Sequence, residues 1–191
     1  MATIRHGTVP VLLVVDVQVG VMLGAWDAPS IIANVAGAVA RARAENVPVF
    51  WVQHSDDELV QGTDTWQWVP ELVPAPGEPL FHKHFNSAFE QTALEEELAK
   101  RGATHIVLAG ASTNWCIRAT AYAALERGYD LTLLQDAHTT KSIDLEGGAR
   151  IEAGTVVREL NIAMTWLSYP GRSNGTAKAQ EVDFHHPARA L

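Results

Sequence analysis

The run Pro-Val-Leu-Leu-Val-Val-Asp-Val at positions 10–17 is the strongest constraint on what this chain can fold into. A stretch so rich in β-branched side chains, with no polar alternation, cannot keep one face in water. It reads as a strand buried on both faces, as in parallel sheets, and as the central strand of its sheet. Asp16 sits inside that apolar run, and a carboxylate there costs several kcal/mol unless a cationic or proton-sharing partner compensates it.

Beyond this run, strand and helix alternate. Asp27, Pro29 and Ser30 supply helix-start signals ahead of an alanine-rich helix over residues 31–46, and residues 47–53 form a second strand. Residues 55–78 turn to Gly, Pro, Asp and Trp, an irregular excursion read as a lid or pocket wall. The pattern then predicts a strand over 79–85, a helix over 92–101 stopped by Gly102, a strand over 105–109 and a helix over 114–127 stopped by Gly128. A strand over 131–135, a helix over 146–160 and a sixth strand over 162–167 complete the series. This order, with right-handed crossovers, predicts an α/β fold whose open, mostly parallel six-stranded sheet carries helices on both faces. Residues 1–170 read as a single domain, and residues 171–191 as a C-terminal surface extension, an arm onto a neighbouring subunit.

Charge narrows the partners. The chain carries a formal net charge of −8 with its basic residues scattered, which argues against nucleic acid and anionic membranes. Its single cysteine cannot form an internal disulfide, and residues 1–7 carry Arg5 and no apolar signal stretch, so a cytoplasmic protein is expected. The longest apolar run, residues 9–15, is far short of a membrane span.

In a doubly wound sheet, ligands bind outside the carboxyl ends of the strands where strand order reverses. Three reactive residues fall on such ends: Asp16 after strand one, Lys83 near the end of strand three, and Cys116 just past strand four. In the order 3-2-1-4-5-6, strands one and four flank the reversal, so Asp16 and Cys116 face each other across one crevice. A lone cysteine is by composition inert core. Cys116, however, follows a Gly-Ala-Ser-Thr turn on the first turn of a helix, where the thiol can be ionised and backbone N–H groups aim at whatever it attacks. Period-two alternation sets Lys83 between Phe81 and Phe85 on one face.

Several segments together resemble the isochorismatase-like cysteine hydrolases. They are Val11-Leu12-Leu13-Val14-Val15-Asp16-Val17-Gln18, Lys83 with Asn86-Ser87-Ala88-Phe89, Gly110-Ala111-Ser112-Thr113-Asn114-Trp115-Cys116 and Asp136-Ala137-His138-Thr139-Thr140. The resemblance runs from about residue 9 to residue 167. It implies a three-layer α/β fold, an Asp16–Lys83–Cys116 triad, a cis peptide between Ala111 and Ser112, and a homodimer or higher homo-oligomer. The activity it implies is that of a cysteine-dependent amidohydrolase cleaving a small amide, ureido compound or lactam through a thioester. Asp16 would take and return the proton, Lys83 would support the anion, and the N–H groups of Ser112 and Cys116 would form the oxyanion hole.

No metal or cofactor is expected. Nicotinamidase relatives carry a zinc site with an Asp-x-His pair after strand two, whereas Trp51-Val52-Gln53-His54-Ser55-Asp56 lacks that aspartate and offers His54 and Asp56 only in reversed order. Trp26, His54, Trp66, Trp68 and Trp115 are expected around the substrate pocket, an aromatic wall suited to a planar or cationic small molecule. Gln18, Asn114 and His138 are expected to support the site from behind. A thiol-based redox protein using the same Cys116 is the alternative, though no resolving cysteine is present. Neither G-x-G-x-x-G nor G-x-x-x-x-G-K-[ST] occurs where a nucleotide-binding module needs it, and Asp16-Val17-Gln18 has no second acidic residue for a magnesium-dependent phosphotransferase.

Overall fold

The computed structural model describes residues 2–188. Its sheet has six parallel strands: β1 (Val9–Val15), β2 (Val49–His54), β3 (Leu80–Lys83), β4 (Ala103–Ala111), β5 (Asp130–Thr139) and β6 (Asn174–Ala177). They lie in the order 3-2-1-4-5-6, so the expected reversal between strands one and four is present. The longer helices are α1 (Ala28–Ala44), α2 (Leu94–Lys100), α3 (Arg118–Glu126) and α4 (Ala153–Trp166); short helical turns lie at Val19–Met22 and Glu146–Gly148, and one π-helical turn at Thr113–Ile117 leads into α3.

The unbroken apolar run builds the centre of the three layers because it is wanted on both faces. Leu12 and Val14 point to one side and pack with Ile31, Val35 and Ala38 of α1. Val11, Leu13 and Val15 point to the other and pack with Leu94 and Leu98 of α2, Leu125 of α3 and Leu160 of α4. Every residue from Val11 to Val15 is fully buried, and full burial of such side chains is worth about 1.5–3 kcal/mol each. Among the described residues no helix is long and apolar enough to cross a membrane.

The carboxy-terminal third departs from the sequence reading. Residues 162–167 are not a strand: α4 continues through them to Trp166. The buried positions Val157, Leu160 and Met164 keep helical spacing, while Ile162 and Trp166 are exposed. Nor does the helix begin at residue 146, because Ile143–Asp144 and Arg150–Ile151 first pair as a small antiparallel ribbon. The sixth strand is instead Asn-Gly-Thr-Ala at 174–177, paired in parallel with Leu131–Leu134 of β5. The expectation of a surface extension over 171–191 is therefore corrected. Asn174 is buried and donates to the carbonyls of Met164 and Leu167, closing the end of α4. Ala179, Val182 and Phe184 then pack into the core on the α1 face. Residues 189–191 of that stretch lie outside the described residues.

Candidate active site

The ends of β1, β3 and β4 converge. Asp16 follows β1 directly, is 1% exposed and takes a left-handed backbone conformation (φ 52°), one that Asp tolerates better than most residues. Gly110, near the end of β4, lies so close to β1 that a Cβ built there would stand 1.9 Å from the Val15 carbonyl oxygen. Only glycine permits that approach, which brings the turn carrying Cys116 beside Asp16. The Ala111–Ser112 peptide is cis, as expected. Lys83 ends β3, two strands from β1, and its four-carbon stem carries the ammonium back beneath the crevice.

The ammonium joins the groups. Lys83 Nζ lies 2.6 Å from Asp16 Oδ2 as an ion pair, 3.2 Å from Cys116 Sγ and 3.2 Å from His54 Nδ1. The remaining nitrogen of His54, Nε2, meets Asp56 Oδ2 at 3.1 Å. Neither oxygen of the buried Asp16 carboxylate has a hydrogen bond of ordinary geometry, and the Cys116 thiol interacts with it. Asn86 Oδ1 approaches Sγ at 4.0 Å.

Burial sets the protonation states. It raises the carboxyl of Asp16 above its ordinary range, against the downward pull of Lys83. The thiol of Cys116 is pushed up to about 12, first by burial and then by the charge of Asp16, with Lys83 offsetting only part of the effect. The first-turn position expected to ionise the thiol is outweighed by burial, which favours the protonated sulfur with a base against it. The ammonium is already engaged by the carboxylate, so it cannot stabilise a second anion as an unpaired cation would.

Behind the nucleophile the hydrogen bonds have a fixed direction. Asn161 Nδ2 donates to the Gln135 carbonyl, which orients the amide so that Asn161 Oδ1 accepts from His138 Nε2 at 2.9 Å. His138 Nδ1 must then accept from the Thr113 hydroxyl, also at 2.9 Å, at the start of the turn bearing Cys116. Burial drives the His138 imidazole down to about 4, so it is neutral there. Asn114 Oδ1 accepts from the Thr140 hydroxyl at 2.6 Å. Gln18 spans the backbone of His54 and the carbonyl of Trp66, joining β2 to the excursion.

A cavity of about 590 Å³ opens over this cluster, with Asp16, Ser112 and Cys116 on its surface. Two of the five expected pocket residues line it, His54 and Trp115. The other three do not. Trp26 packs against Gly154 of α4. Trp66 stacks on His82 and donates to Ser55 Oγ, and Trp68 sets its edge against Trp51. Trp66 and Trp68 thus pin the 55–78 excursion to the body instead of facing a ligand. Much of the wall is built by residues the sequence did not mark for the pocket, among them Val21, Leu23, Glu58, Lys141 and Ile143, with Asp56, which the sequence offered only as half of a reversed metal pair. The acidic run Asp56-Asp57-Glu58 directly after β2 was the available signal, since that loop leaves a carboxyl end of the sheet. Among the described residues no three His, Cys, Asp or Glu side chains group as a metal-binding set.

A three-layer α/β body with a buried carboxylate–ammonium–thiol cluster beneath a small-molecule cavity at its strand-order reversal has the build of an enzyme acting on small molecules. The model of the isochorismatase domain matches residues 10–152, and the chain belongs to the isochorismatase family of hydrolases. It is 32% identical over 134 residues to the secreted isochorismatase effector Isc1 of Verticillium dahliae, an alignment covering 66% of this chain and 70% of that protein. It is 32% identical over 147 residues to a streptothricin hydrolase of Streptomyces noursei, covering 73% of this chain but only 58% of that one. A crystal structure of an isochorismatase from Pseudomonas putida shares the fold with a TM-score of 0.81 at 23% identity, over 95% of this chain and 92% of the other.

Proposed function

We propose that this protein is a cysteine-dependent amidohydrolase that cleaves a C–N bond of a small amide, ureido compound or lactam. One observation carries the reading: Lys83 Nζ bridges Asp16 Oδ2 at 2.6 Å and Cys116 Sγ at 3.2 Å on the surface of a cavity sized for a small ligand. A nucleophile, a base within reach and a cation that balances the charge are the parts that acyl transfer to sulfur needs.

The chemistry is set by the resting states. As Sγ bonds to the substrate carbonyl carbon, its proton passes to Asp16, whose raised affinity for protons suits that task. The carbonyl oxygen becomes an oxyanion that the N–H groups of Ser112 and Cys116 accommodate; losing one such donor costs about 2.7–4 kcal/mol of barrier. Asp16 then returns the proton to the nitrogen as the C–N bond breaks, releasing ammonia or an amine and leaving a thioester. A water attacks that thioester and gives a proton to Asp16. The carbon–sulfur bond breaks and the thiolate recovers the proton, so that one water is consumed for each acid and amine formed. The streptothricin hydrolase relative supports hydrolysis as the reaction class. A thiol held up to about 12 argues against peroxide sensing, which favours an exposed thiolate.

The test uses Cys116→Ala and the parent protein against a panel of small amides. Ammonia release should vanish in the variant while binding persists, and mass spectrometry of the parent quenched in turnover should place an acyl group on Cys116. Hydrolysis that survives the substitution would refute the assignment.

A further inference from the structure

The mouth of the cavity is electrically lopsided. Asp56 and Glu58 stand on the wall formed by the loop after β2, and both side chains are exposed. Backbone N–H groups of Leu59 and Glu58 fix Asp56 Oδ1 at 2.7 and 2.9 Å, while His54 meets Oδ2. Hydrogen bonding from Leu59 N–H, assisted by Glu58 N–H and His54, holds the Asp56 carboxyl below its usual range, so its charge persists through ordinary conditions. The Glu58 carboxylate makes no hydrogen bond or ion pair among the described residues, which leaves it open to a ligand. Among the described residues that line the cavity, Lys141 is the one Lys or Arg, and its ammonium donates to the Gly20 carbonyl at 3.3 Å.

Two further observations point to an occupant. Trp115, next in sequence to the nucleophile, is 55% exposed and lines the same cavity, an indole face that attracts cations. At the cavity's inner end, Asp16 is 1% exposed and lies against Lys83 and the Cys116 thiol, with neither oxygen in a hydrogen bond of ordinary geometry, so the carboxylate can receive a donor from the ligand. A carboxamide nitrogen at Asp16 supplies that donor and puts its carbonyl carbon beside Sγ. The rest of the molecule then extends past Trp115 toward the acidic wall.

Resting on the amidohydrolase reading, we propose that the substrate is a small amide bearing a cationic nitrogen, an ammonium or guanidinium, remote from the bond that breaks. Asp56 and Glu58 hold that cation beside the indole of Trp115. An anionic substituent in the same place would meet the carboxylates of Asp56 and Glu58, so the wall excludes as well as selects.

Because Cys116 is the only cysteine, the charge preference can be read without any substrate. The thiol is labelled with methanethiosulfonates carrying a trimethylammonioethyl, a methyl or a sulfonatoethyl group, each rate normalised to its rate with 2-mercaptoethanol. In parallel, ammonia release is measured from 4-(aminomethyl)benzamide, 4-methylbenzamide and 4-carboxybenzamide. The cationic member should lead the anionic one in both series, and Glu58→Gln should shrink that lead by roughly threefold to tenfold at low ionic strength, less at high salt. Because the Glu58 side chain is exposed and unpaired, this change does not threaten the fold. Equal or faster labelling by the anionic reagent overturns the inference, as does amide turnover indifferent to charge, and the hydrolase reading survives either result. Cation-selective labelling with no ammonia from any amide supports the electrostatics of the mouth and counts against the hydrolase reading instead.

Discussion

Replacing Asp16 with Asn should make Cys116 more reactive toward an alkylating agent and at the same time abolish hydrolysis. The carboxylate is at once the charge that suppresses ionisation of the thiol and the base that the reaction requires. Contacts of 2.6 and 3.2 Å through Lys83 Nζ bound the separation of Asp16 Oδ2 from Sγ at about 6 Å. A unit charge at that distance, with an effective dielectric near 20, is worth about 3 kcal/mol, or about two decades in thiol ionisation. Asn also frees the Lys83 ammonium to face the sulfur, which acts in the same direction. A less basic thiolate is a weaker nucleophile, which takes back about half of the gain on a logarithmic scale and leaves about a tenfold rise in rate near neutral pH. Iodoacetamide labelling followed by mass spectrometry reads that rate on the sole thiol, and ammonia release from a hydrolysed amide should fall by about 10²–10⁴. Alkylation that slows or stays unchanged in a variant with parental thermal stability would show that Asp16 does not govern the sulfur.

Other consequences can be checked as directly. Burial holds His105 and His138 near 4, below the 6.5 of free imidazole. The unfolded chain therefore takes up protons that the native state refuses, and stability should fall as pH drops from about 6.5 toward 4 and stay flat above that window. Each site contributes about 3 kcal/mol at most, so urea midpoints measured across the window should slide steeply, and His105→Gln should remove about half of the slope. A midpoint independent of pH would contradict the buried neutral imidazoles. Gly110→Ala forces a Cβ to within 1.9 Å of the Val15 carbonyl and should cost about 4 kcal/mol or more; an unchanged melting temperature would mean that β1 and β4 are not so closely apposed. Thr113→Val takes away the hydroxyl that donates to His138 and should lower kcat with little change in KM. An effect on KM alone would place Thr113 outside the positioning of the Cys116 turn.

The parts of the fold legible in the sequence share one property, that their pattern is set by their own neighbours. The 10–17 run announces a doubly covered strand, and Gly102 and Gly128 mark helix ends that the structure keeps near Lys100 and Glu126. Where two patterns fit, the sequence misleads. Ile-Ala-Met-Thr-Trp-Leu at 162–167 is too short to separate period two from period 3.6, and packing of Leu160 and Met164 against the sheet decides for helix. Asn-Gly-Thr-Ala has no strand composition at all. It pairs because Asn174 is tied to the end of α4 beside an open edge of β5. The indoles illustrate the same limit for the site: Trp66 and Trp68 have the chemistry of a pocket wall, yet contacts with His82, Ser55 and Trp51 consume them.

The chain alone therefore determined its layered α/β plan, through hydrophobic periodicity, and the placing of a carboxylate, an ammonium and a thiol at carboxyl ends of strands, which the family resemblance joined into one triad. Tertiary structure decided the edge strand, the residues that face the cavity and the protonation of the sulfur. Those depend on which groups lose water together and which charges are left within a few ångströms, and distances across the sheet are not written in any local stretch of sequence.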